Sequence, residues 1–363
     1  MTNKEKSEIQ KSIVDSLPSN SYGRLLLAPR VGKTRLVILY IKREKPKKIL
    51  WVTPTTKLAE EDIPREFVIW KAKRYLDVLR TTTWKSLHKV KGEYDLIVLD
   101  EDQHISEMNS LPLRDGSLSG KSILSMTGTP TKDEDKIYTY KNMGLKTLYE
   151  ISINQAVDIG LVSDYKINVL TSDIIPEFKV YAGGKNKFLV TEKSNYAKQT
   201  ELIKSSGYNI FRILSRVRAI QNSPTKLCMI KSVLDHLPGR KVIYAPSIKI
   251  SKELCQFTYN GNTNTKHLDM FIKEEINCIS MVNKGGTGYT FKNVDHFLIM
   301  QCDKNTNGLT SQKITRALLS QEGYKATIWL FCLTDTVDKH WVDSVLESFD
   351  LSKVEFLPFS YSM

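Results

Sequence analysis

The sequence predicts an α/β fold in which two similar domains, each built on a doubly wound parallel sheet, follow one another along the chain. Short apolar runs rich in β-forming residues alternate with helix-like stretches, and this alternation occurs in two separate series. Continuous apolar strands joined by helices indicate a parallel sheet that is buried on both faces. The length of 363 residues is also that of about two ordinary domains. We therefore place the domains at residues 1–135 and 136–363.

The predicted strands define each domain in turn. In the first domain they lie at residues 24–28, 48–53, 76–80, 94–100 and 122–127. In the second domain they lie at residues 241–245, 276–281, 294–300 and 327–333, and a helix at about 337–349 closes the series. The intervening segment contains a Gly-Gly-Lys-Asn turn, followed by helix-like sequence that breaks near a Ser-Pro pair. We expect a mainly helical elaboration of the second domain at about 175–237.

Composition narrows the functional classes. With 41% hydrophobic and 26% charged residues, the chain resembles globular proteins and not disordered or fibrous ones. No apolar run approaches the roughly 18 residues that span a bilayer, and the N-terminal sequence lacks a secretion signal. We expect a cytoplasmic protein, or one of the nucleus or host-cell interior if it is eukaryotic or viral. The five cysteines form no C-x-x-C pair, which argues against a disulfide framework or a zinc site. The net charge of +13 favours nucleic acid as a partner, ahead of a membrane.

A phosphate-binding loop is predicted after the first strand. The segment 27–34 reads Leu-Ala-Pro-Arg-Val-Gly-Lys-Thr and leads from an apolar strand into a helix-like stretch. In such a loop the backbone N–H groups and the helix N-terminus bind phosphates, the Lys33 ammonium neutralises the β and γ oxygens, and the Thr34 hydroxyl binds magnesium. Leu27 stands where the common pattern has its first Gly. The predicted nucleotide-binding residues are Pro29, Arg30, Val31, Gly32, Lys33, Thr34 and Arg35.

A second pattern places two carboxylates at the end of a buried strand. Four apolar residues precede Asp100 and Glu101, and ligands of open α/β sheets bind at the carboxyl ends of strands. In that position Asp100 can hold magnesium, and Glu101 can orient or deprotonate an attacking water. An acidic turn after a strand is the alternative interpretation if this pattern stands alone.

These patterns together resemble the superfamily 2 helicases and translocases over nearly the whole chain. The segment 100–104, Asp-Glu-Asp-Gln-His, is similar to their D-E-x-H or D-E-x-Q box, with either Gln103 or His104 as the fourth member. Ser-Met-Thr-Gly-Thr-Pro at 125–130 matches the family's S/T-G-T-P motif, which couples the ATP site to the second domain. The segments 51–55 and 81–83 resemble motifs that contact the nucleic-acid backbone. The contacts so implied are Thr53, Pro54, Thr55, Thr82 and Thr83.

The second domain carries further similarity, partly to the Swi/Snf-type translocases. The strand motif 241–247 and the glycine-rich segment 283–290 resemble family motifs, and 311–319 falls where the family places its arginine-finger motif. Arg316 matches the first arginine of that motif, whereas Leu319 stands in place of the second. The resemblance implies nucleic-acid contacts at Ser247, Lys284 and Gly285, a nucleotide contact at Gly288, γ-phosphate sensing by Gln312 and Arg316, and adenine recognition by Gln10.

The resemblance implies two RecA-like domains, with ATP and magnesium in the cleft between them and nucleic acid across both. ATP binding closes the cleft and hydrolysis opens it, which would move the protein along the strand. We expect a monomeric, DNA-stimulated ATPase that acts as a helicase or duplex-DNA translocase, with a protein partner supplying specificity. Two alternatives stay open. An RNA helicase shares every motif, and a hydrolysis-poor ATP-binding clamp or regulator is suggested by Leu27, Leu319 and the irregular acidic box.

Overall fold

A computed structural model describes residues 3–128, 130–131, 133–182, 187–206, 209–282, 291–303, 309–318 and 323–361. The described residues form two compact units, one that ends at Ser163 and one that begins at Asp164. Each unit contains its own parallel sheet, of six and seven strands respectively. The predicted α/β fold class with two tandem sheets is therefore confirmed.

The first unit is built on a sheet in which every described strand pair is parallel. Its strands are β1 (Tyr22–Leu27), β2 (Ile49–Thr53), β3 (Leu79–Thr83), β4 (Gly92–Asp100), β5 (Leu118–Thr127) and β6 (Lys146–Ile151). The spatial order is β3-β2-β4-β5-β1-β6. All five residues of β2 are buried, as expected of an inner strand covered on both faces.

Helices connect these strands. They are α1 (Asn3–Ser16), α2 (Lys33–Glu44), α3 (Ile63–Ile69), α4 (Glu107–Arg114), α5 (Glu134–Asn142) and α6 (Ile153–Asp158). A π-helical turn at Leu58–Asp62 precedes α3, and short 3-10 helices occupy Lys73–Val78, Trp84–Lys89 and Asp102–His104. None of the helices in the described part of the chain is both long and apolar enough to span a bilayer.

The structure differs from the sequence prediction at two places in this unit. The third strand begins at Leu79 and not at residue 76, because residues 73–78 form a 3-10 helix. The unit also continues past residue 135 to Ser163 and includes β6, which pairs with β1 at the edge of the sheet. In β6 only Ile151 is fully buried, so the strand lacks the continuous apolar run on which the prediction relied.

The second unit has a seven-stranded parallel sheet and a separate two-stranded antiparallel hairpin. Its strands are β7 (Asp164–Ser172), β8 (Lys179–Ala182), β9 (Phe188–Thr191), β10 (Lys241–Tyr244), β11 (Thr258–Tyr259), β12 (Cys278–Met281), β13 (His296–Ile299), β14 (Lys325–Leu333) and β15 (Val354–Pro358). The large sheet has the order β11-β12-β10-β13-β14-β7-β15, and β8 pairs with β9.

The helices of the second unit include the predicted elaboration. They are α7 (Glu192–Ser206), α8 (Ile210–Gln221), α9 (Pro224–His236), α10 (Ile248–Leu254), α11 (Lys266–Ile272), α12 (Leu309–Thr315) and α13 (Val337–Leu346), with a 3-10 helix at Leu351–Lys353. The segment 175–237 is mainly helical, as predicted, and α9 begins at the Ser-Pro break, with the Ser223 hydroxyl accepting a hydrogen bond from the Lys226 N–H at 3.0 Å. The hairpin β8–β9 and the strands β7, β11 and β15 were not predicted.

Candidate active site

One edge of the first sheet collects the predicted catalytic segments. Because all its strands are parallel, their carboxyl ends meet at the same edge, where ligands of such sheets bind. β5 lies between β1 and β4, so the loop after β1, the acidic segment after β4 and the Thr127-Gly128 pair at the end of β5 are neighbours. This edge is the candidate active site.

The loop between β1 and α2 has the backbone of an anion-binding turn. Arg30 and Gly32 both have positive φ, 71° and 93°, and residues in this conformation form concave nests of backbone N–H groups. Gly32 is the N-cap of α2 and makes no side-chain cap hydrogen bond, which leaves the first N–H groups of the helix for a ligand. The backbone angle favours glycine at position 32, and a Cβ there would also displace the Gln10 Nε2, which would lie 2.3 Å away.

Helix α1 contacts this loop through the side chains of Gln10 and Lys6. The Gln10 side chain is 1% exposed, and its Nε2 donates a hydrogen bond to the Val31 carbonyl at 2.6 Å. Its Oε1 is also buried and has no hydrogen-bond partner among the described residues. The Lys6 ammonium donates to the Arg30 carbonyl at 2.8 Å. Gln10 therefore holds the loop in place, and its role in adenine recognition stays a prediction.

Lys33 connects the loop to the acidic segment. Its Nζ lies 3.2 Å from the Glu101 Oε1, and its side chain is largely buried. Gly128 passes close beside it, since a Cβ at that position would lie 2.9 Å from both the Lys33 Nζ and the Pro29 Cγ. The glycine of the predicted S/T-G-T-P motif therefore allows β5 to end against the phosphate-binding loop.

The two adjacent carboxylates have opposite electrostatic environments. Burial at the end of β4, together with the neighbouring charge of Glu101, raises the pKa of Asp100 to about 7. Burial also disfavours the charged form of Glu101, but the Lys33 ammonium and a hydrogen bond from Gln103 outweigh it, so the pKa of Glu101 is lowered. Glu101 is thus ionised at neutral pH, and Asp100 would be fully ionised there only with a cation beside it.

The structure brings Gln103, and not His104, into this site. Gln103 is 3% exposed, its Nε2 donates to the Glu101 Oε2 at 2.8 Å, and its Oε1 accepts from the Thr127 hydroxyl at 2.7 Å. His104 is exposed at the end of the 3-10 turn. Gln103 therefore links the acidic segment to the end of β5, and which of the two residues matches the fourth member of the family box stays a prediction.

Asp102 anchors the acidic segment through contacts that sequence analysis missed. It is fully buried and forms a two-point ion pair with Arg24 of β1, with N–O distances of 2.8 and 3.1 Å. The Ser125 hydroxyl donates to the same carboxylate at 2.7 Å, and the Tyr140 hydroxyl donates to it at 3.2 Å. The Arg24 guanidinium also lies 3.7 Å from the centroid of the Tyr140 ring. An arginine inside an otherwise apolar strand is the only signal in the sequence that could have pointed to this network.

The residues of the first unit that are predicted to contact nucleic acid lie at the carboxyl ends of two neighbouring strands, β2 and β3. Thr53 and Thr83 are paired in register at the carboxyl ends of β2 and β3. Thr53 is fully buried, and its hydroxyl donates to the Thr55 carbonyl at 2.9 Å, so this side chain shapes the turn. Pro54 and Thr82 are partly exposed, and Thr55 is exposed. Contacts between these residues and the backbone of a nucleic acid stay a prediction.

The candidate residues of the second unit are placed only in part. The Ser247 hydroxyl accepts the Ile250 N–H at 3.3 Å and caps α10. Gln312 lies on α12, and Arg316 follows that helix and donates its N–H to the Gln312 carbonyl at 3.2 Å. The other predicted residues, Lys284, Gly285, Gly288 and Leu319, lie outside the described residues.

The donor groups at the edge of the first sheet fit a magnesium nucleotide. Magnesium is held by one or two carboxylates together with phosphate oxygens, and a buried carboxylate with a raised pKa, such as Asp100, is stabilised by a cation. The Thr34 hydroxyl belongs to the first turn of α2, whose uncapped N-terminus suits phosphate.

Comparison with known proteins identifies the fold. The sequence matches no protein-family model and no curated protein. In structure the chain is similar to the ATP-dependent Type ISP restriction-modification enzyme LlaBIII bound to DNA, with a TM-score of 0.64 and 15% identity, over 100% of this chain and only 31% of that one. It is similar to the Hef helicase domain of Pyrococcus furiosus, with a TM-score of 0.54 and 12% identity over 93% of this chain and 97% of that one. It is also similar to S. cerevisiae Dbp5 bound to RNA and ADP BeF3, with a TM-score of 0.56 and 12% identity over 97% of this chain and 89% of that one. These similarities concern the fold: the chain has a tandem RecA-like α/β fold like that of these helicase structures, as the sequence predicted.

Proposed function

We propose that this chain, which has a superfamily 2 helicase-like fold, is a DNA-stimulated ATPase that works as a DNA helicase or duplex-DNA translocase. One observation carries the proposal. Lys33, at the uncapped N-terminus of α2, lies 3.2 Å from Glu101 at the same sheet edge that bears Asp100. A phosphate-binding lysine, a carboxylate for magnesium and an ionised carboxylate for water are the groups that ATP hydrolysis requires.

Each group has a defined part in the reaction. Magnesium, when bound, neutralises charge on the phosphate oxygens, and Asp100 and Thr34 would hold it. Lys33 would leave Glu101 to bind the β and γ oxygens, which frees one Glu101 oxygen to face the attacking water. Because the pKa of Glu101 is lowered, its carboxylate is ionised and can accept the proton of that water. Gln103 holds the other oxygen of Glu101 and fixes its orientation. Gln312 and Arg316 would act on the γ-phosphate.

Charge and fold support nucleic acid as the track. The chain carries a net charge of +13, and the similar structures include one bound to DNA and one bound to RNA. The Swi/Snf-like motifs of the second domain, together with the similarity to the DNA-bound restriction enzyme, favour DNA. We further propose that the protein is a monomer and that a protein partner supplies specificity.

Steady-state ATP hydrolysis tests the proposal directly. Turnover should be measured with no polymer, single-stranded DNA, duplex DNA or RNA, for the wild type and for Lys33→Ala. Lys11→Ala is the matched control, since Lys11 is an exposed lysine of α1. We expect stimulation by DNA that is lost in Lys33→Ala and kept in Lys11→Ala. Stimulation by RNA alone would replace the DNA proposal with an RNA helicase.

A hydrolysis-poor clamp is the second candidate, because Leu27 stands at the first P-loop Gly and Leu319 at the second finger arginine. The variant Glu101→Gln separates it from a motor. In a motor this change traps ATP and abolishes both hydrolysis and movement. In a clamp it leaves nucleic-acid affinity and biological activity unchanged, and that result would overturn the motor proposal.

A further inference from the structure

More than half of the net positive charge lies in one module of the second unit. We define the basic module as residues 179–222, which contain the hairpin β8–β9 and the helices α7 and α8. These 44 residues include nine basic and two acidic residues, a net charge of +7 against +13 for the whole chain. One of the two acids, Glu192, is buried, and its carboxylate accepts the Thr225 hydroxyl at 2.7 Å. The charged side chains of the module are therefore almost all cationic, with Glu201 as the one exposed acid.

Helix α8 exposes apolar side chains on a face of its own. With about 100° between successive residues, Ile210, Phe211, Leu214 and Arg218 fall within one arc of about 100°. Phe211 is 79% exposed, Ile210 48% and Leu214 40%. Outside this arc Ile220 is buried, and Ile213 and Val217 are partly buried, which accounts for the packing of the helix. Ile210, Phe211 and Leu214 thus form an exposed apolar patch, a feature that can mark a binding surface.

Within the described part of the chain, no ion pair within 4 Å involves Arg212, Arg216 or Arg218. Arg212 and Arg218 are exposed; Arg218 lies within the arc that carries Phe211, and Arg212 lies about 100° beyond Phe211. A highly exposed aromatic ring between exposed guanidinium groups is the combination that binds unpaired nucleotides, by stacking on a base and neutralising the flanking phosphates.

We propose that the outer face of α8 is a contact surface for single-stranded nucleic acid, with Phe211 stacked on an unpaired base and Arg212 and Arg218 bound to phosphates. This inference rests on the proposed function and adds to it a contact that favours unpaired strands. The charge of +7 selects a polyanion over a protein partner. Exposure of the ring selects a single strand, because the faces of duplex bases are covered by their neighbours.

The stacking is tested by measuring, without ATP or ADP, the affinity of the protein for a labelled DNA single strand of 20 nucleotides. The same measurement is made with a blunt duplex of the same length. In Phe211→Ala we expect affinity for the single strand to fall by about 5- to 100-fold, with a much smaller change for the duplex. Phe356→Ala is the matched control, since Phe356 of β15 is 50% exposed and lies outside the basic module. Phe211→Trp should keep the affinity, and its added fluorescence should be quenched on binding.

The salt dependence of binding tests the arginine contacts. Loss of one phosphate contact should reduce the slope of log affinity against log salt by about 0.7 for a single strand. We expect this reduction in Arg218→Gln. Lys273→Gln, at an exposed lysine after α11, should leave the slope unchanged.

The outcomes separate this inference from the proposed function. If the wild type binds DNA and its ATPase is stimulated, while Phe211→Ala and Arg218→Gln bind like the controls, the α8 contact is wrong and the motor stands. An equal loss of single-strand and duplex affinity in Phe211→Ala would also overturn the α8 contact. So would the finding that a protein binds this face of α8 while substitutions there leave DNA affinity unchanged. If the wild type binds no nucleic acid, both proposals fail.

Discussion

At the scale of single residues, the site depends on two neighbouring carboxylates that the fold treats differently. Asp100 ends a buried strand, whereas Glu101 turns away from it with a φ of 52° and meets Lys33 and Gln103. Two consecutive residues therefore differ in protonation: the pKa of Asp100 is raised and that of Glu101 is lowered. This division supports the proposal that Asp100 would hold the metal and Glu101 the water.

The raised pKa of Asp100 predicts a pH dependence of stability in the metal-free protein. Between about pH 4 and 7 the folded state retains a proton on Asp100 that the unfolded chain has lost, so this group makes the free energy of unfolding fall as the pH rises. Asp100→Asn removes that contribution. The slope of its unfolding free energy against pH should be more positive than that of the wild type by up to about 1.4 kcal/mol per pH unit. Urea denaturation of both proteins between about pH 4 and 7, with a chelator present, measures these slopes.

The neighbouring groups make this experiment specific. Glu101 has a lowered pKa, so it is ionised in both states above about pH 5 and adds nothing to the slope in the upper part of the window. Glu192 and Asp338 also have raised pKa values, but they contribute equally to the wild type and the variant. Identical slopes in the two proteins would contradict the assignment of a proton to Asp100.

Local residue patterns revealed the centre of the site but not its supports. Lys33 and Glu101 lie in short segments whose flanking strand and helix signals are contiguous in the sequence. Arg24 and Tyr140 lie 78 and 38 residues from Asp102, and nothing in their immediate surroundings indicates a shared contact. Gln103 was one of two candidates for the fourth position, because only burial distinguishes it from His104.

At the scale of elements, the Arg24–Asp102 pair fastens the acidic segment after β4 to β1, two strands away in the sheet. Removing one member of a buried pair leaves the other charge without compensation, which costs about 3–5 kcal/mol. We expect Arg24→Met to lower the free energy of unfolding by that amount. The double variant Arg24→Met with Asp102→Leu should recover part of the loss.

A double-mutant cycle by chemical denaturation measures the coupling between the two side chains. Lys121→Met is a suitable control, since Lys121 pairs with Asp95 at 2.8 Å but its side chain is 75% exposed. Exposed pairs contribute about 0–1 kcal/mol, so this variant should unfold nearly as the wild type does. Equal effects of Arg24→Met and Lys121→Met would refute the anchoring role of Asp102.

Inner strands were predictable, whereas strands with polar positions were not. β2 and β4 read as apolar runs because both faces of the sheet are covered there. β7 was missed because Lys166 and Asn168 interrupt it; Lys166 pairs with Glu355 of β15 at 2.6 Å, and Asn168 is buried despite its polarity. The strands that pair with β7, namely β14 and β15, lie about 160 to 190 residues later in the chain, which a local pattern does not contain.

At the scale of the whole molecule, each unit has its own sheet and its own core. The core of the first unit includes Tyr140, Met143 and Leu145, which lie beyond the boundary that the sequence predicted at residue 135. We expect a fragment of residues 1–163 to unfold cooperatively. A fragment of residues 1–135 should not, because it lacks these side chains and leaves one edge of β1 unpaired.

Circular dichroism during urea titration compares the two fragments. The longer fragment should show one sigmoidal transition, and the shorter one a shallow change or aggregation. A cooperative transition of similar midpoint in both fragments would mean that β6 and α5 are not needed for folding. The boundary at Ser163 would then have no thermodynamic meaning.

The pairing of β7 also has a consequence for the order in which the protein folds during synthesis. β7 opens the second unit, yet its neighbours in the sheet are β14 and β15, and the register joins Asp164 to Lys325, about 160 residues later. At roughly 5–20 residues per second the ribosome needs about 8–30 seconds to make that interval. For that time the apolar residues of β7 have no native partner strand. The second unit therefore closes only as the last strands emerge, and a nascent chain that stalls before β14 presents an unpaired strand to chaperones or to other chains.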